Sequence, residues 1–197
     1  MSRGDLVAGY VGQTAIKTQE YIEKAIGGVL FIDEAYTLYK ETGNDFGQEA
    51  IDTLLKYTDG SEKDLVVIIA GYDNLMEKFL DSNPGLKSRF VHNLNFTDYD
   101  GESLFNIFER SCKKNGYIMT SDAESFARDF FMEWYQRRGA NFGNARDVRN
   151  IFNLVDSKHA KRLVAMGKNA TKQDVQTIIK EDFLTIEEAR MSLHLNK

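Results

Sequence analysis

The sequence has 197 residues, enough for one large domain or one and a half, with a sizeable core. Its 42% hydrophobic and 28% charged residues are typical of a folded, soluble protein, and no apolar run is long enough to span a membrane. A formal charge of −5 argues against nucleic-acid binding through the whole surface. The one cysteine, Cys112, excludes an internal disulfide and suits a reducing cytosol. We therefore expect a cytoplasmic protein without membrane or nucleic-acid partners.

The chain begins with a glycine-rich stretch that predicts a loop, Gly4 to Gly12. Within this loop Tyr10 stands beside glycine and is followed by Val11, so its ring could be presented to a partner. A buried tyrosine near a turn is the alternative. From Thr14 to about Ile26 the spacing of apolar residues predicts a helix, which two glycines end.

The next stretch organises the chain: five small or apolar residues from Gly28 to Ile32 precede Asp33 and Glu34. Such a run predicts a strand buried on both faces, as in parallel α/β sheets. Open α/β sheets bind their ligands at the carboxyl ends of the strands, where these two acids fall. The first acid could hold Mg²⁺ beside nucleotide phosphates, and the second could polarise a water. An ordinary strand followed by an acidic helix cap is the alternative.

The following elements come in the order of a parallel sheet. Asp45 and Gln48 have capping-box spacing and predict the start of a helix that continues to about Tyr57. A turn at Asp59 to Ser61 leads to a second apolar run, Leu65 to Gly71, which is rich in β-branched residues. The two runs therefore predict a βαβ unit with parallel strands.

After the second strand, the pattern predicts a short helix that Asp73 caps and that ends before Pro84, because the residue before proline avoids helical geometry. Lys87 and Arg89 follow this Pro-Gly turn, where they should be exposed. A solvated basic turn is the commoner explanation of such a pair. A short third strand is predicted around His92 to Phe96.

Beyond that strand the sequence predicts helices with apolar and aromatic stripes, at about Gly101–Asn115, Asp122–Arg138 and Asn144–Met166. Arg146 falls in the first turn of the third helix, where the helix dipole disfavours a cation, and this mildly suggests a site. A short helix is predicted over Thr171 to Lys180, and we expect Glu187 to Lys197 to be mobile.

Six segments carry a resemblance to a known family: Tyr10–Ala15, Gly28–Tyr36, Gly47–Ile51, Leu65–Tyr72, Asn83–Phe90 and Gly143–Asn150. Together they resemble the CbxX/CfqX branch of the AAA+ ATPases, which includes red-type Rubisco activase, the stage V sporulation protein K and ATPases of type VII secretion. The resemblance covers roughly Leu6 to Asp182. It implies an α/β fold: a partial P-loop AAA+ parallel sheet with helices on both faces, followed by an all-α lid subdomain.

The same resemblance implies a division of the chain and a set of ligands. Residues 1–98 would form the C-terminal part of the ATPase subdomain, residues 99–166 the lid, and residues 167–197 a C-terminal extension. ATP and Mg²⁺ are the implied cofactors. A hexameric ring of identical subunits and a protein client are the implied partners.

In the ATPase subdomain the resemblance implies a role for four residues. Asp33 and Glu34 resemble the Walker B pair, with Asp33 on the Mg²⁺ shell and Glu34 on the hydrolytic water. Arg89 resembles the arginine finger that reaches the γ-phosphate bound in a neighbouring subunit, and Lys87 is a weaker second cation. The first sensor falls near Gly71 and Tyr72, where no polar residue of the usual kind stands, so its role stays open.

Two further sites follow from the resemblance. Arg146 is similar to the sensor-two arginine, which contacts the nucleotide from the lid. Tyr10, with Val11 and Gly12 beside it, resembles the pore-loop aromatic that grips a peptide threaded through the ring.

The largest departure from the family is an absence: no Gly-x-x-x-x-Gly-Lys-Ser/Thr motif occurs in the sequence. The backbone amides and lysine that cradle nucleotide phosphates are therefore not supplied by these residues. We expect a fragment of a longer ATPase that couples hydrolysis to remodelling of a threaded client. The chain alone should bind ATP poorly and be inactive as an ATP hydrolase.

Two other functions stay open. One is a hydrolysis-deficient adaptor that assembles with a complete AAA+ paralogue. The other is a helicase or DNA-replication ATPase, against which the acidic balance and the aromatic pore loop weigh.

The missing P-loop strand and helix also affect the expected stability. Part of one sheet face and the sheet edges should be uncovered, and exposed edges favour association. We expect the chain to be partly destabilised or self-associating, with the helical segment Gly101–Met166 better protected from hydrogen exchange.

Overall fold

The computed structural model describes residues 1–10, 12–40, 46–58, 64–139 and 141–193. The chain divides into two compact units, Met1–Asn95 and Phe96–Lys197. Each unit has its own hydrophobic core. None of the helices in the described ranges has the length and apolar character needed to cross a membrane.

The first unit is an α/β unit built on two strands. Its elements are α1 (Arg3–Leu6), α2 (Gln13–Ala25), β1 (Gly28–Ile32), α3 (Gly47–Thr58), β2 (Leu65–Ile69), α4 (Asp73–Asp81) and α5 (Pro84–Arg89), with a 3-10 helix over Ala35–Leu38. β1 and β2 pair in parallel, with Gly28 opposite Leu65 and Ile32 opposite Ile69. The predicted βαβ unit is therefore confirmed.

The two faces of this sheet differ in burial. Leu30 and Ile32 point into the core with residues of α2 and α3. The alternate residues point the other way, and Val29 is 57% and Phe31 46% exposed. The prediction that this strand is buried on both faces is wrong, because no described element covers the second face.

The predicted third strand at His92 to Phe96 is also wrong. This segment has neither helix nor strand, and Leu94 and Phe96 are exposed. A strand needs a neighbouring edge for its backbone bonds, and β1 and β2 form a sheet of two strands only among the described residues. The outer edge of β1 is bonded by Met1, whose amino group donates to the Phe31 carbonyl at 3.0 Å and whose carbonyl accepts from the Asp33 N–H at 2.8 Å.

Helix boundaries in this unit follow local chemistry. The predicted cap Asp45 and the turn at Asp59 to Ser61 lie outside the described residues. Asp73 is the first residue of α4 rather than its cap, which is Tyr72. Pro84 opens α5 where a turn was predicted, because proline suits the first helical position and the Asn83 side chain accepts from the Gly85 N–H at 2.8 Å.

The second unit is mostly helical. Its elements are α6 (Gly101–Lys114), β3 (Ile118–Met119), α7 (Ser121–Gln136), α8 (Ala145–Met166), α9 (Lys172–Gln176), β4 (Thr177–Ile178) and α10 (Ile186–Ser192). The three long helices are confirmed within a residue or two at each end. β3 and β4 add a short parallel pair that the all-α prediction did not contain. The helix predicted over Thr171–Lys180 ends at Gln176, because β4 begins at the next residue.

An aromatic cluster forms the core of the second unit. The Phe108 ring lies 5.3 Å from that of Phe131 and 5.5 Å from that of Phe183. Ile186 and Ala189 of α10 are buried in the same core. The expectation that residues from Glu187 are mobile is therefore wrong for those described, through Leu193.

A buried polar network joins α8 to the segment after it. Asp182 accepts from the Arg162 Nε at 2.8 Å and from the Arg162 Nη2 at 3.0 Å. The same nitrogen of Arg162 lies 2.9 Å from His159 Nδ1, and His159 Nε2 lies 3.0 Å from the Val175 carbonyl. Burial alone would raise the pKa of Asp182, but the bonds from Arg162 and the Ile179 N–H outweigh it and lower the pKa.

Candidate functional site

The acids predicted to carry chemistry lie at the carboxyl end of β1. Asp33 and Glu34 are both exposed, and the Asp33 side chain accepts from the Glu34 N–H at 3.0 Å. The backbone bonds between the strands continue to this point, from the Ala70 N–H to the Ile32 carbonyl at 2.9 Å and from the Ala35 N–H to the Ala70 carbonyl at 3.0 Å. The parallel pairing therefore fixes the start of the loop that carries both carboxylates.

Glu34 has an unusual backbone conformation. Its φ of 50° and ψ of 44° lie in the left-handed region, which residues other than glycine rarely adopt. The Glu34 carbonyl accepts from the Thr37 N–H at 2.9 Å and from the Thr37 hydroxyl at 2.7 Å. These bonds, and those to Asp33 and Ala35 on either side, hold the strained residue in place, as such conformations require.

Two tyrosines stand beside this pair of acids. The rings of Tyr36 and Tyr72 lie 6.4 Å apart. Burial raises the pKa of Tyr36. The negative charge of Glu34 adds to this effect, and Tyr72 and Asp33 contribute less. Sequence reasoning assigned no role to either tyrosine, although both lie within the matched segments.

Gly71 allows the close approach of Tyr36. A Cβ atom at this position would stand 2.7 Å from the Cδ1 of Tyr36 and 2.8 Å from the Met76 sulfur, both too close for carbon contacts. The Tyr36 ring therefore packs directly on the backbone that follows β2.

The two cations predicted after the Pro-Gly turn lie on α5, and each has a local partner. Lys87 Nζ lies 2.5 Å from an Asp81 carboxylate oxygen, and the hydrogen bond to Asp81 raises the pKa of Lys87. The Arg89 side chain is half-buried and folds back along its own helix, where its Nη1 donates to the Gly85 carbonyl at 3.2 Å.

The predicted pore loop lies directly before α2. Tyr10 is 74% exposed, which excludes the buried alternative in this structure. Gly12 caps the helix with a φ of 77°, a conformation that glycine adopts without strain. Val11 lies outside the described residues.

Arg146 lies in the first turn of α8, as predicted, and is exposed. The helix cap before it, Asn144, has a φ of 51° and ψ of −128°. The Asn144 amide accepts from the Tyr99 N–H at 2.9 Å and donates to Asp98 at 2.7 Å. Asp147, next in the chain, is buried and accepts from the Gly143 N–H at 3.0 Å.

The donor set at the end of β1 fits one side of a magnesium site. Mg²⁺ is commonly held by one or two carboxylates together with substrate phosphates and water. Asp33 and Glu34 supply exposed carboxylate oxygens of this kind. Within the described ranges no group of three or more His, Cys, Asp and Glu side chains forms a closed metal cage, and the phosphate-binding motif is not in the sequence.

Comparison with known proteins gives the family. Residues 1–98 match the family described as "ATPase family associated with various cellular activities (AAA)", and residues 100–192 match the "AAA lid domain". This chain belongs to the AAA family of ATPases. The likeness to relatives named CfxQ and CbbX confirms the CbxX/CfqX branch.

Three relatives illustrate the likeness, each over nearly the whole chain. The "Protein CfxQ homolog" of Cyanidium caldarium is 43% identical, over 93% of this chain and 64% of the relative. The "Ribulose bisphosphate carboxylase/oxygenase activase, chloroplastic" of Cyanidioschyzon merolae is 44% identical, over 93% and 63%. "Protein CbbX" of Cereibacter sphaeroides is 42% identical, over 92% and 59%. The chain thus spans less than two thirds of the length of these relatives.

Solved structures confirm the fold. The FIGL-1 AAA domain has a TM-score of 0.67 at 18% identity, with 97% of this chain and 60% of that chain covered. A second structure of the same domain, in complex with ADP, gives the same score. The AAA fold, with parallel strands, helices and a helical lid, is the fold that the sequence predicted.

Proposed function

We propose that this chain is part of an AAA+ ATPase that couples ATP hydrolysis to the remodelling of a protein client. The observation that carries the proposal is the pair Asp33 and Glu34 at the carboxyl end of a parallel strand, in a chain of the AAA family. Ligands of open α/β sheets bind at such strand ends. The shared family with a protein named as an activase supports a protein client.

Each of the two acids has a distinct part in the proposed chemistry. The Asp33 carboxylate would hold Mg²⁺, which when bound neutralises phosphate charge. The Glu34 carboxylate would accept a hydrogen bond from the attacking water, orient it and draw off its proton. Asp33 continues the direction of β1, and the left-handed backbone at Glu34 turns the chain away from that direction.

The phosphates need partners that this sequence does not contain. We propose that a phosphate-binding segment of a longer protein supplies them, and that residues 1–197 alone bind ATP weakly and turn over almost none. A hydrolysis-deficient adaptor that joins the ring of a complete paralogue is the second candidate, because the sequence lacks the phosphate-binding motif. We propose a reducing compartment such as the cytoplasm, in which the single thiol of Cys112 would stay reduced.

The remaining site residues are proposed from the family resemblance. Arg89 would act as an arginine finger toward a nucleotide in the next subunit of a hexamer, after leaving its contact with Gly85. Lys87 would be a weaker cation there, since Asp81 already pairs with it. Arg146 would contact nucleotide as the sensor-two arginine, and the exposed Tyr10, with Val11 and Gly12, would grip the client.

One substitution tests the proposed hydrolysis. In a full-length protein that joins this sequence to a phosphate-binding loop, Glu34→Gln should retain ATP affinity and lose turnover, because the amide cannot accept the water's proton. Titration calorimetry and phosphate release measure the two quantities. The Glu20→Gln variant, which changes an exposed carboxylate on α2, is the matched control. Wild-type turnover in Glu34→Gln would overturn the assignment.

A further inference from the structure

Both polar atoms of the Asn144 side chain are hydrogen-bonded. The Tyr99 N–H can only donate and the ionised Asp98 carboxylate can only accept, so the amide between them has one orientation. Its oxygen lies 2.9 Å from the Tyr99 nitrogen, and its own nitrogen lies 2.7 Å from an Asp98 oxygen. The amide therefore ties the residue that precedes α8 to the segment that precedes α6.

The backbone of Asn144 is strained. Its φ of 51° and ψ of −128° lie in a region that glycine adopts freely and other residues avoid. Such conformations persist only where the surroundings hold them, and they cluster at functional sites. Glycine at this position would avoid the strain, so what asparagine adds is its two hydrogen bonds.

The direction of Arg146 depends on this turn. The Arg146 N–H donates to the Gly143 carbonyl at 2.9 Å, which closes the turn around Asn144. The buried Asp147 carboxylate accepts from the Gly143 N–H at 3.0 Å and from Trp134 Nε1 at 3.3 Å. Because the Arg146 side chain is exposed, the backbone of the turn sets the point from which this side chain extends.

We propose that Asn144 is a positioning residue for Arg146: its doubly bonded amide fixes the turn from which the guanidinium reaches a nucleotide phosphate. This inference rests on the proposed function, because nucleotide contact by Arg146 is part of it. Asn144 does not touch the nucleotide and acts only through Arg146.

The two hydrogen bonds can be tested on the chain itself, without nucleotide. Asn144→Gly keeps the backbone conformation and removes both bonds, so the Tyr99 amide should exchange with solvent about 3-fold to 10-fold faster. The double variant Asp98→Asn, Asn144→Asp exchanges donor and acceptor between the two positions and should restore the wild-type rate. NMR hydrogen exchange measures both. An unchanged rate in Asn144→Gly would overturn the contact.

A double-mutant cycle tests the role in the full-length protein with its phosphate-binding loop. Titration calorimetry with a non-hydrolysable ATP analogue gives the affinity of Asn144→Gly, of Arg146→Ala and of the two combined. Asn144→Gly alone should weaken binding by about 3-fold to 10-fold. In the Arg146→Ala background it should have no further effect, because the residue through which it acts is gone. The double variant Asp98→Asn, Asn144→Asp should restore the affinity.

A matched control separates lost position from lost stability. Asn106→Gly makes the same substitution at an exposed position within α6. Glycine inside a helix lowers stability, so thermal melts should show a loss, while the affinity for the ATP analogue should stay at the wild-type value.

The outcomes separate the inference from the proposed function. If Arg146→Ala binds the analogue as tightly as the wild type, the proposed nucleotide contact fails and the inference fails with it. If Arg146→Ala binds weakly while Asn144→Gly binds normally, the contact stands and the positioning role is overturned. If Asn144→Gly weakens binding equally with and without Arg146, it acts by another route, and the positioning role is again overturned. The proposed hydrolysis is judged separately, by Glu34→Gln.

Discussion

Among the described residues, Glu34 and Asn144 are the two residues other than glycine with a positive φ. Strained backbone costs roughly 1–3 kcal/mol and persists only where the surroundings hold it. Hydrogen bonds to Thr37 hold Glu34, and the bonds to Asp98 and Tyr99 hold Asn144. Asn144 stands two residues before Arg146, so both strained positions lie beside residues proposed to act on nucleotide.

Neither strained residue could be predicted from the sequence. The apolar run from Gly28 to Ile32 predicted where the two acids lie, because the position and length of a strand can be read from local composition. The left-handed turn at Glu34 depends instead on bonds to Ala70 and Thr37 that form only in the folded unit. The packing of Tyr36 on Gly71 likewise depends on the folded unit, so it was not visible in the sequence.

A first prediction concerns Cys112, which is buried in the core of the second unit. Burial, with a smaller effect of Glu109, raises the pKa of its thiol to about 12. Because the thiolate is the reactive form, iodoacetamide at pH 8 should leave Cys112 unmodified in the native chain and alkylate it fully in denaturant. Mass spectrometry measures both. Native alkylation as fast as that of free glutathione would contradict this burial.

At the scale of elements, α8 depends on the buried contact with Asp182. Removing one partner of a buried ion pair typically costs about 3–5 kcal/mol. We expect Arg162→Met to destabilise the chain by this order in urea unfolding, because Asp182 stays buried without its partner. Lys113→Met breaks the largely exposed pair with Glu109 and should cost at most about 1 kcal/mol. Equal losses in the two variants would show that burial does not strengthen the contact.

The same contact predicts a pH dependence. The pKa of Asp182 is lower in the folded chain than its ordinary value of 3.8. The Asp182 carboxylate therefore stabilises the fold above pH 3.8, and this stabilisation is lost as the pH falls through the pKa of the folded state. The free energy of unfolding of Asp182→Asn should therefore fall less steeply below pH 4 than that of the wild type.

Elements with a long apolar pattern were predicted correctly. Elements that exist only because they pair with another segment were not. The long helices α6, α7 and α8 were predicted from stripes of apolar and aromatic residues. β3 and β4 contain two residues each and exist because they pair with one another. The helix α10 had a usable signal, since Thr185 and Glu188 form a capping box; the polar residues that follow outweighed it.

At the scale of the whole molecule, the proposed ring predicts complementation. Arg89→Ala should lower turnover by about 10³-fold or more, as for arginine fingers supplied in trans, with a smaller change in ATP affinity. Mixed with Glu34→Gln subunits, it should regain activity at interfaces that pair the two intact halves. Phosphate release over a series of mixing ratios measures this. If no mixture exceeds the sum of the separate activities, Arg89 does not act across an interface.

The exposed sheet face predicts association of the chain as it stands. Val29, Phe31, Val66 and Ile68 form two neighbouring exposed rows on one side of β1 and β2. We expect sedimentation to detect self-association of the chain. The double variant Phe31→Ser, Val66→Thr should reduce this association, and the control variant Ile16→Ser on α2 should not. Hydrogen exchange should be slower in the second unit than in the two strands. A monodisperse monomer with uniform protection would contradict both expectations.

The place of α10 in the core also sets an order in time during synthesis. Ile178, Phe183, Ile186 and Ala189 complete a core whose other members begin at Leu104. The ribosome releases a chain from its N-terminus, so α6, α7 and α8 emerge with an apolar groove that waits for these last residues. A pause in translation just after Ala189 would leave that groove open to chaperones, because the segment that fills it is still inside the ribosomal tunnel.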